Sequence, residues 1–134
     1  MTEYINLTPH DIVFFEDDNV VGKIRASGRV ARVEMVDEVT ANESITFVGR
    51  DEPTRINVVR GTPGYIYVTG DDGEKRPFPK PRFNRRYIVS LIVQQAIKDI
   101  TPRRSDLLSP DTGPESAVRD ETGRIIGVKR FRVV

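Results

Sequence analysis

Cysteine is absent from the 134 residues, which removes disulfides, zinc–thiolate sites and thiol catalysis at once. Histidine occurs once, at His10, so a metal site built on a histidine pair is excluded too. No apolar run approaches the roughly 18 residues that span a bilayer, and the N-terminus lacks a basic stretch followed by an apolar one. The expectation is a cytoplasmic protein, neither secreted nor membrane-spanning. Chemistry-bearing motifs are also missing: the chain has no glycine-rich phosphate loop, no GxGxxG and no HExxH. Ser109-Pro110-Asp111-Thr112-Gly113-Pro114 does not form a nucleophile elbow. The apolar share of 37% is low for a globular chain, so a small core and generous loops are expected.

What the chain does have is charge, unevenly spread. Residues 1–52 hold 11 Asp and Glu against 5 Lys and Arg, a balance of −6, and residues 53–134 hold 9 against 16, a balance of +7. The asymmetry fits an anionic partner for the second part, or merely an acidic and a basic face that keep the protein soluble or attract a second copy. A length of 134 residues predicts a single domain over 1–134.

Strand signals dominate the chain. Tyr4–His10, Asp11–Glu16 and Asn19–Arg25 read as short strands, the last two joined by a turn at Asp17-Asp18-Asn19. Val30–Val36 departs from strict alternation and predicts a bulge. Ser44–Val48, Arg55–Arg60 and Gly64–Thr69 are further β-rich runs, followed by a tight turn at Gly70–Gly73. Residues 75–86 hold three prolines and six cations around Phe78 and Phe83. That composition predicts a loop or extended arm. It suits either binding of phosphates and stacked bases or a surface insertion pinned to the core by its phenylalanines.

Tyr87–Ile97 starts as a buried strand, and Ser90 is placed to cap a helix reaching Ile97 or Ile100, with an apolar face at 91, 92, 96 and 97. Residues 101–116 read as a polar loop, Ala117–Val128 as a hairpin turning at Glu121-Thr122-Gly123, and Lys129–Val134 as an edge strand alternating basic and apolar residues. The fold class predicted is α+β: mostly antiparallel β, with one principal helix at about residues 90–100 and a C-terminal β-hairpin.

The functional signal lies in the last third. Arg103 and Arg104 open the polar loop, and Arg119 and Arg124 flank the hairpin turn. The planar guanidinium fork matches phosphate geometry, so four arginines without a nucleophile or base beside them point to holding an anion rather than cleaving it. The plainer reading pairs them with Asp106, Asp120 and Glu121 on the surface, where ion pairs contribute little. Asp106 and Asp111 suit a cation or a sugar hydroxyl, or simple turn chemistry. His10, after Thr8-Pro9, is a pocket wall, a base or a turn residue.

Asn6-Leu7-Thr8-Pro9-His10, Ser27–Val33, Tyr87–Ser90, Arg104–Pro110 and Val118–Gly127 together resemble a group of small phage and prophage proteins. That group is similar in turn to the viral anti-Thoeris and anti-CBASS sponges, which sequester cyclic nucleotide signals. The resemblance covers both ends and residues 87–128, and the 70–86 arm departs from it.

The resemblance implies a cytoplasmic immune-evasion protein of an infected bacterial host. It would be a non-enzyme needing no metal or other cofactor, and a homo-oligomer built from dimers. It would bind a cyclic dinucleotide or a cyclic ADP-ribose isomer. It makes Arg119 and Arg124 phosphate clamps, and the loop from Arg104 to Ser109, with Asp106 and Leu107, a pocket wall. The alternative is a nucleic-acid-binding accessory protein using the 75–86 arm. An enzyme using His10, Asp106 or Asp111, and a structural virion component, are two further classes.

Overall fold

The computed structural model describes residues 1–134. The strands are β1 (Glu3–Asn6), β2 (Ile12–Glu16), β3 (Asn19–Ile24), β4 (Val30–Ile45), β5 (Thr54–Thr69), β6 (Lys75–Pro77) and β7 (Arg85–Ile88). After the helix α1 (Leu91–Ile100) come β8 (Leu107–Pro110), β9 (Val118–Arg119), β10 (Ile125–Gly127) and β11 (Phe131–Arg132). The chain is mostly β with one helix, and no helix is long and apolar enough to cross a membrane. It divides into two compact units, Met1–Val33 with Ile66–Val134, and Glu34–Tyr65.

In the first unit a four-stranded sheet runs β1-β7-β8-β11. Its β1–β7 and β7–β8 pairs are parallel and only β8–β11 is antiparallel, so the central sheet departs from the antiparallel expectation. The cause is α1, which carries the chain from β7 back to the start of β8 as a crossover that parallel neighbours require. Strand alternation then feeds two apolar layers. Tyr87, Val89 and Leu107 join Leu7, Val93 and Ile97 on one face, while Ile88 and Leu108 join Ile12 and Val128 on the other. A strand buried on both faces reads as an unbroken apolar run, as Tyr87-Ile88-Val89 does.

Three sequence expectations change here. Residues 101–116 are not one loop, because Leu107–Pro110 forms the buried strand β8. Four residues are too few to show a period, and Pro and Gly nearby mask them. Arg55–Arg60 and Gly64–Thr69 are one strand, β5, uninterrupted at Gly61-Thr62-Pro63-Gly64. There the glycines serve close approach: a Cβ at Gly64 would lie 2.9 Å from Val36 Cγ2. On α1 the buried residues are Val93, Gln94, Ala96 and Ile97, whereas Leu91 and Ile92 are exposed. Gln94 is drawn inward because its amide donates to Leu107 O and Arg132 O and accepts from the Ser109 hydroxyl.

The basic proline-rich segment contributes β6, an edge strand on β5, a position proline tolerates. Phe78 packs edge-on against Tyr87 at 5.8 Å between ring centroids, while Phe83 is 94% exposed. One phenylalanine pins the segment; the other does not. The second unit consists of the β4 and β5 residues between Glu34 and Tyr65 and the turn joining them. Thr40 Oγ1 donates to Val58 O and Thr62 Oγ1 to Val36 O across the pair.

Candidate functional site

The site is built first by a buried asparagine. Asn6, 1% exposed, donates from Nδ2 to His10 O at 2.9 Å and to Ile24 O at 3.2 Å. Its Oδ1 accepts from Thr8 N at 2.9 Å and from Thr8 Oγ1 at 2.6 Å. Every hydrogen-bonding group of the amide is engaged, so the turn Leu7–His10 has one geometry, with Thr8 and His10 held on its rim.

The second wall is the β9–β10 pair. The Asp120 carboxylate accepts from Thr122 N, Thr122 Oγ1 and Arg124 N. Gly123 takes the positive φ of 87° that the turn needs. The Thr122 hydroxyl first, and then the backbone amides, hold the Asp120 carboxyl below its ordinary range. Past the turn, Gly127 lies so close to β2 that a Cβ there would meet the Phe15 ring and come within 2.7 Å of Val13 O. Backbone bonds from Phe15 N to Val128 O and from Val128 N to Val13 O fix the contact.

Between these walls and the start of α1 lies a cleft of about 430 Å³, lined by Thr8, His10, Asp11, Ser90, Leu91, Thr112, Ile125 and Ile126 among others. A neighbouring cavity of about 250 Å³ shares Leu91, Pro110 and Thr112 with it and adds Asp111, Gly113 and Arg132. The pair of spaces therefore joins an isoleucine wall to hydroxyls, an imidazole and a guanidinium. Ser90 precedes α1 in an extended conformation without a side-chain cap, and no acidic residue occupies the first turn. The helix thus presents uncapped N–H groups and the positive end of its dipole at the cleft.

The charged corner is a buried carboxylate between two arginines. Asp111, 2% exposed, accepts from Arg130 Nε, from Arg132 at 3.3 Å and from Gly113 N at 2.9 Å. The Arg130 bond first, then the Gly113 amide, lowers its pKa to about 2, and the same carboxylate raises that of Arg130. Arg130 also reaches the Glu115 carboxylate at 3.3 Å, so two guanidiniums and two carboxylates balance at this corner, and Arg132 is the guanidinium paired with Asp111 alone. Arg132 lines the smaller space, and its side chain stays half exposed.

The sequence-predicted residues do not assemble as one constellation. Arg104 forms a two-bond pair with Asp106 at 2.8 and 3.1 Å and lies over the Phe78 ring at 4.9 Å. Its side chain is 9% exposed, which is the plainer, structural role. Arg104 also lines a separate cavity of about 230 Å³ with Gln94, Lys98 and Val133. Leu107 and Ser109 are buried in β8, Leu107 reaching that separate cavity. Both are core residues of a strand, where the sequence predicts a loop. Arg119 donates to Gly123 O at 2.6 Å and so closes its own turn. Arg124 and Arg103 make no side-chain hydrogen bond or ion pair, and neither they nor Arg119 line these cavities. His10 alone of the predicted set lines the larger cleft. Arg130 and Arg132 were hidden in what reads as an ordinary edge strand; their alternation with Phe131 was the available signal. No three His, Asp or Glu side chains come together as a metal-binding group.

No protein-family model, curated protein or solved structure matches this chain.

Proposed function

We propose that this protein captures a cyclic nucleotide signal without cleaving it, in the manner of a phage immune-evasion sponge, and that the ligand lies in the adjoining cleft at the start of α1. The observation that carries the reading is the make-up of that cleft. Ile125, Ile126 and Leu91 offer an apolar bed for a base. Thr8, His10, Ser90 and Thr112 offer hydrogen bonds, and Arg132 with the uncapped helix end offers positive potential to a phosphate. The sequence resemblance supplies the ligand class. In this reading the phosphate contact passes from Arg119 to Arg132, while the free Arg124, next to Ile125 in the chain, is available to a ligand that extends past the isoleucines.

The magnitudes are compatible. Stoichiometric capture needs roughly nanomolar affinity, about −12 kcal/mol, and a ligand of about 45 heavy atoms reaches that at roughly −0.3 kcal/mol per atom. A thermal-shift screen of cyclic dinucleotides and cyclic ADP-ribose isomers tests the reading. A true ligand at about 100 times its Kd stabilises the fold by about 2.7 kcal/mol, and Ile126→Asp abolishes the shift. A shift that survives Ile126→Asp moves the ligand out of this cleft.

A second reading, binding of single-stranded nucleic acid, is favoured by Phe83, whose ring is 94% exposed beside Arg82 and near Lys80. An exposed ring among cations suits a stacked base. Such binding weakens steeply with salt. The absence of any complex with DNA or RNA at low ionic strength removes this reading.

A further inference from the structure

The unit Glu34–Tyr65 has secondary structure but no core. Of its 32 residues none is buried, and 30 are exposed, only Thr54 and Pro63 being partly covered. Apolar side chains nevertheless recur along it. On β4, Met35 and Val39 lie on one face and Val36 on the other; on β5, Ile56 and Val58 lie on one face and Val59 on the other. All six are at least 38% exposed. Only β4 and β5 form this unit, since β6 pairs with Tyr67–Thr69 alone. A two-stranded ribbon is marginal by itself in water and needs a further layer to bury its apolar side chains.

Charge decides what that layer is. Within the unit β4 carries Glu34, Asp37, Glu38 and Glu43 and no cation, while β5 carries Arg55 and Arg60 and no acid. None of these six groups lies within 4.0 Å of an opposite charge. With Arg50, Asp51 and Glu52 in the turn, the unit holds 3 cations against 6 acids, a balance of −3. A net-negative surface is repelled by nucleic acid and by anionic lipid. A ribbon with one acidic and one basic strand is instead complementary to itself.

We infer that this ribbon is the interface through which two copies of the chain associate. The ribbons stack face to face about a twofold axis running along them, so that β4 of each copy lies over β5 of the other. That arrangement is isologous. With the face of Met35, Val39 and Val59 inward, which also carries Glu43 and Arg55, it sets Glu43 of each copy over Arg55 of the other. A twofold axis across the ribbons would instead set acid over acid. The inference is independent of the ligand reading, since it uses no residue of the cleft.

The test is a charge exchange in the full chain, read by light scattering and native mass spectrometry. The natural chain is expected at twice its 15.2 kDa mass. Asp37→Arg with Glu43→Arg makes the stacked face basic on both strands, and Arg55→Glu with Asn57→Glu makes it acidic on both. Each double variant alone is expected to be monomeric, and mixing the two restores a dimer containing one of each. A monomeric natural chain, a double variant that still self-associates, or a mixture that stays monomeric overturns the inference. Because the chain has no cysteine, Val39→Cys offers a second readout that leaves every charge in place. A spin label there is expected to show a short distance to its counterpart in the other copy, and no intermolecular coupling overturns the inference equally.

Discussion

At the scale of single residues, polar side chains buried beside the cleft shape it more than the exposed arginines do. Asn6 uses both ends of its amide to hold the turn that presents Thr8 and His10. Asp111 ties Arg130, just before β11, and Arg132 of β11 to the loop after β8. Its folded pKa of about 2 lies below the ordinary 3.8. A depressed carboxylate stabilises the fold fully above its unfolded value and loses that contribution as pH falls through the folded one. Asp72 and Asp120 are displaced in the same direction. The melting temperature is therefore expected to stay level with respect to these groups above about pH 4 and to fall between about 4 and 2. Asp111→Asn is expected to lower it at neutral pH and to flatten that fall. Thermal melts across the acid range check both, and an unchanged acid limb in the variant contradicts the account.

At the scale of elements, the cleft depends on how tightly β10 meets β2. Gly127→Ala places a methyl against the Phe15 ring and the Val13 carbonyl, and backbone cannot yield as a flexible side chain can. Overpacking of this kind costs typically about 1–3 kcal/mol, which denaturant titration reads as a lower midpoint. A neutral result means that β10 is free to shift, and that the wall formed by Ile125 and Ile126 is not fixed. The elements also show what sequence could convey. The β2–β3 hairpin, the start of the helix after Ser90 and the turn ending at Gly123 rest on local signals, such as periodicity, capping position and glycine at positive φ. The strand β8 and the inward turn of Gln94 rest on partners distant in the chain, Tyr87 and Ile88 for the strand and Arg132 for the amide. Arg104 reads alike as ligand clamp or as ion pair until Asp106 and Phe78 are placed around it. The cleft was legible only in His10, because its other walls come from three further segments separated in the chain.

At the scale of the whole molecule, the chain spends its chemistry unevenly. One unit holds the apolar layers, the cleft and the arginine-flanked carboxylate, and the other is a ribbon with no core of its own. Nothing beside the cleft forms a nucleophile–base pair, and His10 engages its neighbours through its backbone carbonyl. The most direct measurement is capture and release. Protein is mixed with a limiting amount of each candidate cyclic nucleotide, separated from free ligand, heated to unfold it, and the released compound is identified by mass spectrometry. The account predicts that one candidate disappears from the free pool in proportion to the protein added and returns intact on heating. Recovery of a cleaved product, or retention of none of the candidates, contradicts it.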